Sequence, residues 1–303
     1  MDVESARRAQ RTTDAALAFI DREAASAVPF FLLAHYFDAH LPYDPPLPFR
    51  ERFADPADRA GKDPALATQR PSFRGDGAPL EARLVRRLEK LYDGEVGYLD
   101  QEVGRLLAGL TGRRLDGNTV VVVTADHGEE FLEHGGFEHG HTLYDEQLHV
   151  PLLVRAPGLG RPASSVPTVV RLIDVAPTLC ALAGVTAPES FAGQSLVSQL
   201  QRGPGPDRPL IAQATMWGDQ GEAMRARGLK LIRYRSSSRV ELYDVGADPG
   251  ERRDLSAEWP EKRSAMLREL FVALEAGTVR RPEGRAALTE EQRERLRALG
   301  YLQ

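Results

Sequence analysis

All seven histidines of the 303-residue sequence fall in two short stretches. His35 and His40 belong to HYFDAHLPYDPP, and His127, His134, His139, His141 and His149 belong to DHGEEFLEHGGFEHGHTLYDEQLH. Imidazole exchanges its proton near neutral pH and ligates divalent metals, so gathering it beside carboxylates points to chemistry on an anion next to a cation. The adjacent Asp126 and His127 offer one carboxylate and one ring nitrogen, a donor pair that suits a divalent cation. Three residues are a weak motif, and the same pair could simply cap a turn. His139 and His141 follow a loop containing Gly135 and Gly136, with Gly140 between them. Such a loop can fold them back over Asp126 and His127, where an imidazole would donate to an oxyanion or protonate a leaving group. His40 is followed at once by Pro42, Pro45 and Pro46, a stiff segment that fixes where it points. His35 reads as a structural hydrogen-bonding residue, and His134 and His149 as ordinary loop histidines. In isolation, the spacing of His35, Asp38 and His40 would also fit a zinc pair.

Each histidine stretch follows an apolar run that can position it. Phe30–Ala34 and Val120–Val123 are short, aromatic or β-branched, and predict buried strands. In open α/β sheets ligands gather at the carboxyl ends of strands. Thr12, Thr13 and Asp14 predict a cap for a helix running toward Ala25 and broken at Val28-Pro29. Leu80, Leu84, Leu88, Leu91, Leu99, Val103 and Leu110 approach a helical stripe, with Gly94, Gly97 and Gly104 marking close packing or a kink. Residues 41–79 are rich in Pro, Asp, Arg and Gly without a period, and predict an irregular excursion of the kind that often forms a lid. Pro151–Arg155 predicts a further strand and Leu172–Ala183 a further helix.

This alternation predicts the α/β class, with a largely parallel central sheet covered by helices on both faces. After about Pro204 the texture changes. Strands are expected at Leu210–Ala214, Leu229–Tyr234 and Val240–Val245, with exposed alternating charges, and helices at Trp259–Glu275 and Thr289–Leu299. The expected organisation is an α/β domain over residues 1–203 and a smaller α+β subdomain over 204–303. Arg225, Arg227 and Lys230 in the latter either meet an anionic ligand or form a solvated face.

Hydrophobic content of 42% allows a full core, and a formal charge of -5 gives no basic surface to recruit nucleic acid or an anionic membrane. The expected partner is a small molecule. Cys180, the single cysteine, lies among apolar neighbours in PTLCALAG and reads as a small core residue. No run approaches the roughly 20 apolar residues that span a bilayer, and MDVESARRAQRTTDAALAF has no apolar core of a signal peptide.

HYFDAHLPYDPP, LYDGEVGYLDQEVGRLL, TVVVVTADHGEEFLEHGGFEHGHTLYDEQLHVPLLVRAPG, LIDVAPTLCALAGV and ELYDVGADPGERRDL, in that order, resemble bacterial sulfatases of the alkaline phosphatase superfamily. The resemblance implies hydrolysis of a sulfate ester of a small molecule or glycan. It implies a divalent cation, calcium first and Zn, Mn or Mg as alternatives, held in part by Asp126 and His127. It further implies that His40 contacts the sulfate and that His139, with His141 as close competitor, contacts the sulfate or the leaving oxygen. In that family the remaining metal aspartates and a CxPxR or SxPxR segment, whose Cys or Ser becomes the formylglycine nucleophile, lie on earlier strands. No such segment occurs among these residues, and Cys180-Ala181-Leu182-Ala183 does not match it. The resemblance therefore covers the C-terminal part of the catalytic domain plus the C-terminal subdomain, incomplete at the N-terminus, and implies an N-terminal half encoded upstream. Competing expectations are a phosphodiester or phosphonate monoester hydrolase or a phosphoethanolamine transferase relative of the same superfamily, and a non-catalytic sulfatase-like binding module.

Overall fold

Helix α1 (Ala9–Ala24) starts ahead of the expected Thr12–Asp14 cap because its first turn is satisfied from elsewhere: Ala9 N–H donates to Asp38 Oδ1 at 2.6 Å. One oxygen of Asp38 caps the helix, and among the described residues His35, Asp38 and His40 are not gathered as a metal-holding group. Thr13 sits inside the helix, fully buried, its hydroxyl 3.0 Å from that of Tyr36. The computed structural model describes residues 8–26, 28–55, 82–159, 164–213, 218–276 and 290. Within 41–79, residues up to 55 are described and include helix α2 (Leu47–Phe53); the rest of that excursion lies outside the described residues, as does most of Thr289–Leu299.

Helix α3 (Ala82–Gly112) is the long support beneath the first histidine stretch. A Cβ on Gly94 would lie 2.8 Å from Pro45 Cγ, and one on Gly97 would lie 2.9 Å from Phe53 Cε2, so these two glycines are notches that let the His40 segment and α2 sit against the helix. The buried face differs from the leucine stripe. Val85, Leu88 and Tyr98 share it with Glu95 and Glu102, which are 4% and 3% exposed. Glu95 Oε1 accepts the N–H of Asp44 at 2.7 Å, so a carboxyl from the helix holds the loop that follows His40.

Strand β1 (Val121–Thr124) lies one residue beyond the expected Val120–Val123 and is half-buried rather than buried, and two-residue strands β2 (Glu130–Phe131) and β3 (Phe137–Glu138) form a small hairpin beyond it. After helix α4 (Asp145–Leu148), strand β4 (Leu152–Arg155) pairs antiparallel with β1, Val121 opposite Arg155. No parallel pair occurs among the described residues. The Phe30–Ala34 run is extended but joins no ladder among them, and Phe31 and Leu33 are 74% and 78% exposed instead of buried. A strand apolar on both faces is covered only when flanked by neighbours, and the described residues supply none. Helix α5 (Val175–Leu182) follows a 3-10 turn, and α6 (Val197–Arg202) follows it.

Strands β5 (Leu210–Gln213), β6 (Gly221–Ala226), β7 (Leu229–Tyr234) and β8 (Val240–Asp244) form an antiparallel meander. The charges expected on its exposed face are largely inside. Glu222 is buried between Arg233 and Arg235, and Lys230 and Glu241 are buried as well. The chain divides into two units, Met1–Leu255 and Ser256–Gln303. In the second, helix α7 (Pro260–Ala276) carries Lys262 with its ammonium 3.6 Å from the Trp259 ring centre, a cation–π contact.

Candidate active site

The chain leaves β1 at Thr124 and turns sharply through Asp126 and His127. Gly128 makes the turn possible: its N–H donates to Gln147 O at 2.8 Å, and a Cβ there would lie 2.0 Å from the backbone oxygen of Glu146. Gly128→Ala forces the turn away from α4 and is expected to cost about 2–4 kcal/mol of stability. Denaturant titration checks this, and an unchanged midpoint would contradict the backbone packing.

The loop beyond is held at both ends. Phe137, fully buried, packs with Leu41, Tyr43, Val85 and Leu88, which contributes about 2–3 kcal/mol for that side chain. Leu143 and Tyr144 pack into the meander against Ala223, Ile232 and Tyr243. Between these anchors the structure brings three of the expected site residues together. The His127 and His139 rings stack with centres 3.8 Å apart, and His40 meets His139 edge-on at 5.1 Å. Phe37 stacks on the other side of this group, 4.5 Å from His40.

Acceptor chemistry fixes several ring nitrogens. His127 Nδ1 lies 2.9 Å from Gly128 O and His40 Nδ1 lies 2.7 Å from Leu41 O; a carbonyl only accepts, so both Nδ1 atoms carry hydrogen. His127 therefore turns Nε2 outward, 3.8 Å from Asp126 Oδ2. An imidazole whose Nδ1–H is tied to a backbone carbonyl, with Nε2 beside a carboxylate, is the usual presentation of a metal ligand. Asp126 is largely exposed, its Oδ1 accepting the N–H of His127 at 3.1 Å.

His141 is placed differently. Its Nε2 lies 2.8 Å from Glu130 Oε2, inside a cluster in which Glu130 Oε1 accepts the N–H groups of Gly136 (2.6 Å) and His134 (3.1 Å), and Gln147 Nε2 donates to Glu130 Oε2 at 3.1 Å. Burial would raise the Glu130 carboxyl, but the bonds from His141 and the two backbone N–H groups outweigh it and hold the group below the usual range. The structure thus sets His141 among the buttresses of the loop, while His139 joins His127 and His40.

The buttress extends into the meander. His134 stacks on Tyr144, centres 3.5 Å apart, with Nδ1 2.6 Å from Glu146 Oε1 and Nε2 3.0 Å from Glu251 O. Lys230 reaches Asp145 Oδ1 at 2.7 Å and Glu251 Oε1 at 2.8 Å, and Arg225 reaches Asp145 Oδ2 at 2.8 Å. Lys230, read from sequence as a ligand contact or solvated charge, is neither: it is 2% exposed and locks α4 to the segment around Glu251. His35 is exposed, edge-on to Phe37 at 6.1 Å. The sequence reading missed Glu129, Glu130 and Tyr43, the groups that orient the histidines. The one signal for them was a pair of carboxylates directly after an apolar strand and a metal-type Asp-His.

Comparisons with known proteins bear on the class. A solved phosphonate monoester hydrolase from Silicibacter pomeroyi superposes with a TM-score of 0.70 at 22% identity, covering 92% of this chain and 63% of its own. A protein solved with its substrate D-glucosamine-2-N,6-O-disulfate matches at TM-score 0.59 and 26% identity, over 66% of this chain and 44% of its own. These likenesses give the α/β fold of the alkaline phosphatase-like hydrolases. The family follows from the sequence: the Sulfatase model matches residues 6–185 and the N-sulphoglucosamine sulphohydrolase C-terminal model matches 132–276. This chain belongs to the sulfatase family. Arylsulfatase K of Xenopus laevis is 29% identical over 206 residues, 64% of this chain. The chain spans well under half the length of such curated relatives, 38% in that case.

Proposed function

We propose that this chain carries the cation- and sulfate-contacting part of a sulfuric ester hydrolase, acting on a sulfate ester of a small molecule or sugar, with the nucleophile supplied by polypeptide beyond these 303 residues. The observation that carries this reading is the convergence of His40, His127 and His139 from two distant segments onto one spot beside Asp126. The disulfated glucosamine bound by one structural relative supports a sugar sulfate as substrate.

Asp126 and His127 would hold the cation. Calcium favours about six to eight oxygen donors, whereas one carboxylate with one imidazole suits zinc or manganese equally. Among the described residues no group of three such side chains is gathered at one point, so the other donors must come from elsewhere. When bound, a divalent cation draws negative charge from a sulfate oxygen. The two remaining imidazoles do the rest. His40 and His139 flank the same space; with each Nδ1–H held by Leu41 O or Glu129, only the imidazolium form has an Nε2–H to bind a sulfate oxygen and pass to the ester oxygen as the S–O bond breaks. Phe31 and Leu33, and separately Leu153 on β4 at 59%, are exposed apolar side chains of the kind that strands from an upstream half would cover.

Calorimetric titration with calcium, manganese and zinc tests the cation site. Binding to the purified chain is expected to be lost in the Asp126→Ala/His127→Ala variant, and equal binding by the variant overturns the assignment. The fold shared with a phosphonate monoester hydrolase favours phosphonate ester hydrolysis as the second reading. Supplying a polypeptide that bears a CxPxR segment and comparing 4-nitrophenyl sulfate with a phenylphosphonate ester separates the two, and turnover of neither leaves a binding module.

A further inference from the structure

Tyr43 ends the HLPY stretch and Glu129 follows the Asp-His-Gly turn, and neither has a role in the cation and sulfate contacts proposed above. They meet nonetheless. Tyr43 O–H donates to Glu129 Oε2 at 2.7 Å, and Glu129 Oε1 lies 2.8 Å from His139 Nδ1. Tyr43 is 3% exposed and the Glu129 side chain 4%. We propose that Tyr43 and Glu129 are positioning residues: the tyrosine fixes the carboxylate, and the carboxylate fixes the tautomer and orientation of His139. This inference rests on the reading of His139 as a group that meets the anion.

The argument is one of donors and acceptors in a place that water does not reach. A buried carboxylate has to be satisfied at both oxygens, and among the described residues two side chains face it, Tyr43 and His139. The phenol can satisfy Oε2 only as a donor. Burial, reinforced by the neighbouring carboxylate, pushes the Tyr43 hydroxyl far above its ordinary range, so the donor hydrogen is permanent. Oε1 is then left to His139, whose Nδ1 must carry hydrogen to complete the pair. With Oε2 taken by the phenol and Oε1 2.8 Å from Nδ1, the geometry itself selects the Nδ1–H form of the ring. Nδ1 being committed, Nε2 becomes the nitrogen available to a ligand, as in His127 and His40.

The relay also ties together loops that the sequence separates by 86 residues. Tyr43 is itself immobilised edge-on to Tyr92, centres 5.6 Å apart, and tilted against Phe131 at 6.3 Å. The carboxylate therefore inherits the position of a packed core. An imidazole at the tip of a glycine-containing loop would otherwise turn freely about its side-chain bonds.

Ring 15N–1H NMR on the purified chain tests the proposal without requiring metal or turnover. His139 is expected to show a slowly exchanging Nδ1–H signal, assigned by its absence in His139→Gln. That signal is expected to be lost in Glu129→Ala and to move upfield in Glu129→Gln, which keeps the shape and removes the charge. In Tyr43→Phe it is expected to remain but to exchange faster with water. A His139 ring protonated only at Nε2, or an Nδ1–H signal unchanged in both Glu129 variants, overturns the inference. Failure of cation binding in the calorimetric experiment leaves this result standing, so the two readings fail separately.

Discussion

Replacing Lys230 with methionine is expected to lower the free energy of unfolding by about 3–5 kcal/mol, the usual cost of removing one partner from a buried ion pair. The ammonium is 2% exposed and lies 2.7 Å from Asp145 Oδ1 and 2.8 Å from Glu251 Oε1. Glu251, 1% exposed, also accepts the N–H of Asp145 at 2.6 Å. Methionine fills the space of the aliphatic stem, so the loss is electrostatic: two carboxylates remain in a poorly solvated place with Arg225 reaching only one of them. Burial already pushes the Glu251 carboxyl above its ordinary range, with Lys230 the main counterweight, and without the lysine it would take up a proton. A Lys230→Met/Glu251→Gln double variant is accordingly expected to lose less than the two single changes together, because the orphaned charge goes with its partner. Urea denaturation of the four proteins closes this cycle. A single Lys230→Met variant within experimental error of the parent would return Lys230 to the surface.

What could be read in advance divides along physical lines. The strand expected at Val120–Val123 and its abrupt end at Asp126-His127 are local facts of sequence, and the strand forms one residue further on, at Val121–Thr124. The fate of Phe30–Ala34 is not local: an apolar run shows that a segment wants neighbours, not which residues provide them. Strand β6 escaped detection because GEAMRA lacks β-branched residues and reads as helix. What holds it is the turn at Arg227 and Gly228, φ 52° and 73°, which pairs it with β7. Glu95 and Glu130 were passed over, and Lys230 was read as a ligand contact or a solvated charge, for a common reason. A periodicity argument counts every charge as an exposed position, and burial of a paired charge is set by a partner far along the chain. His139 and His141, two residues apart, could not be separated by spacing alone. Gly140 lies between them at φ 84°, and with Glu138 at φ 68° the backbone sends one ring to Glu129 and the other to Glu130.

Glu95 leads to an expected pH dependence that runs against the common pattern of acid denaturation. Burial on the inner face of α3 raises its carboxyl to about 8, with the N–H of Asp44 pulling it down in part and Asp38 reinforcing the rise. A group whose pKa is higher in the folded chain than in the unfolded one stabilises the fold fully below the unfolded value, and that contribution is lost as pH rises through the folded one. Between the ordinary carboxylate range and about pH 8 the folded chain must either keep a proton that the unfolded chain has released or bury a charge. The displacement corresponds to a loss on the order of 4 kcal/mol across that window. Glu95→Gln keeps an oxygen for the Asp44 N–H and removes the titration. The variant is therefore expected to match the parent near pH 5 and to exceed it by several kcal/mol near pH 8, measured by urea denaturation at each pH. Glu130 and Asp174, both held below the usual range by their hydrogen-bond partners, make the parent lose stability toward low pH instead. They are present in both proteins, so the difference between the two curves isolates Glu95. Parallel curves from pH 5 to pH 8 would mean that Glu95 is ionised in the folded chain, and that the loop after His40 is held by a charge rather than by a neutral carboxyl.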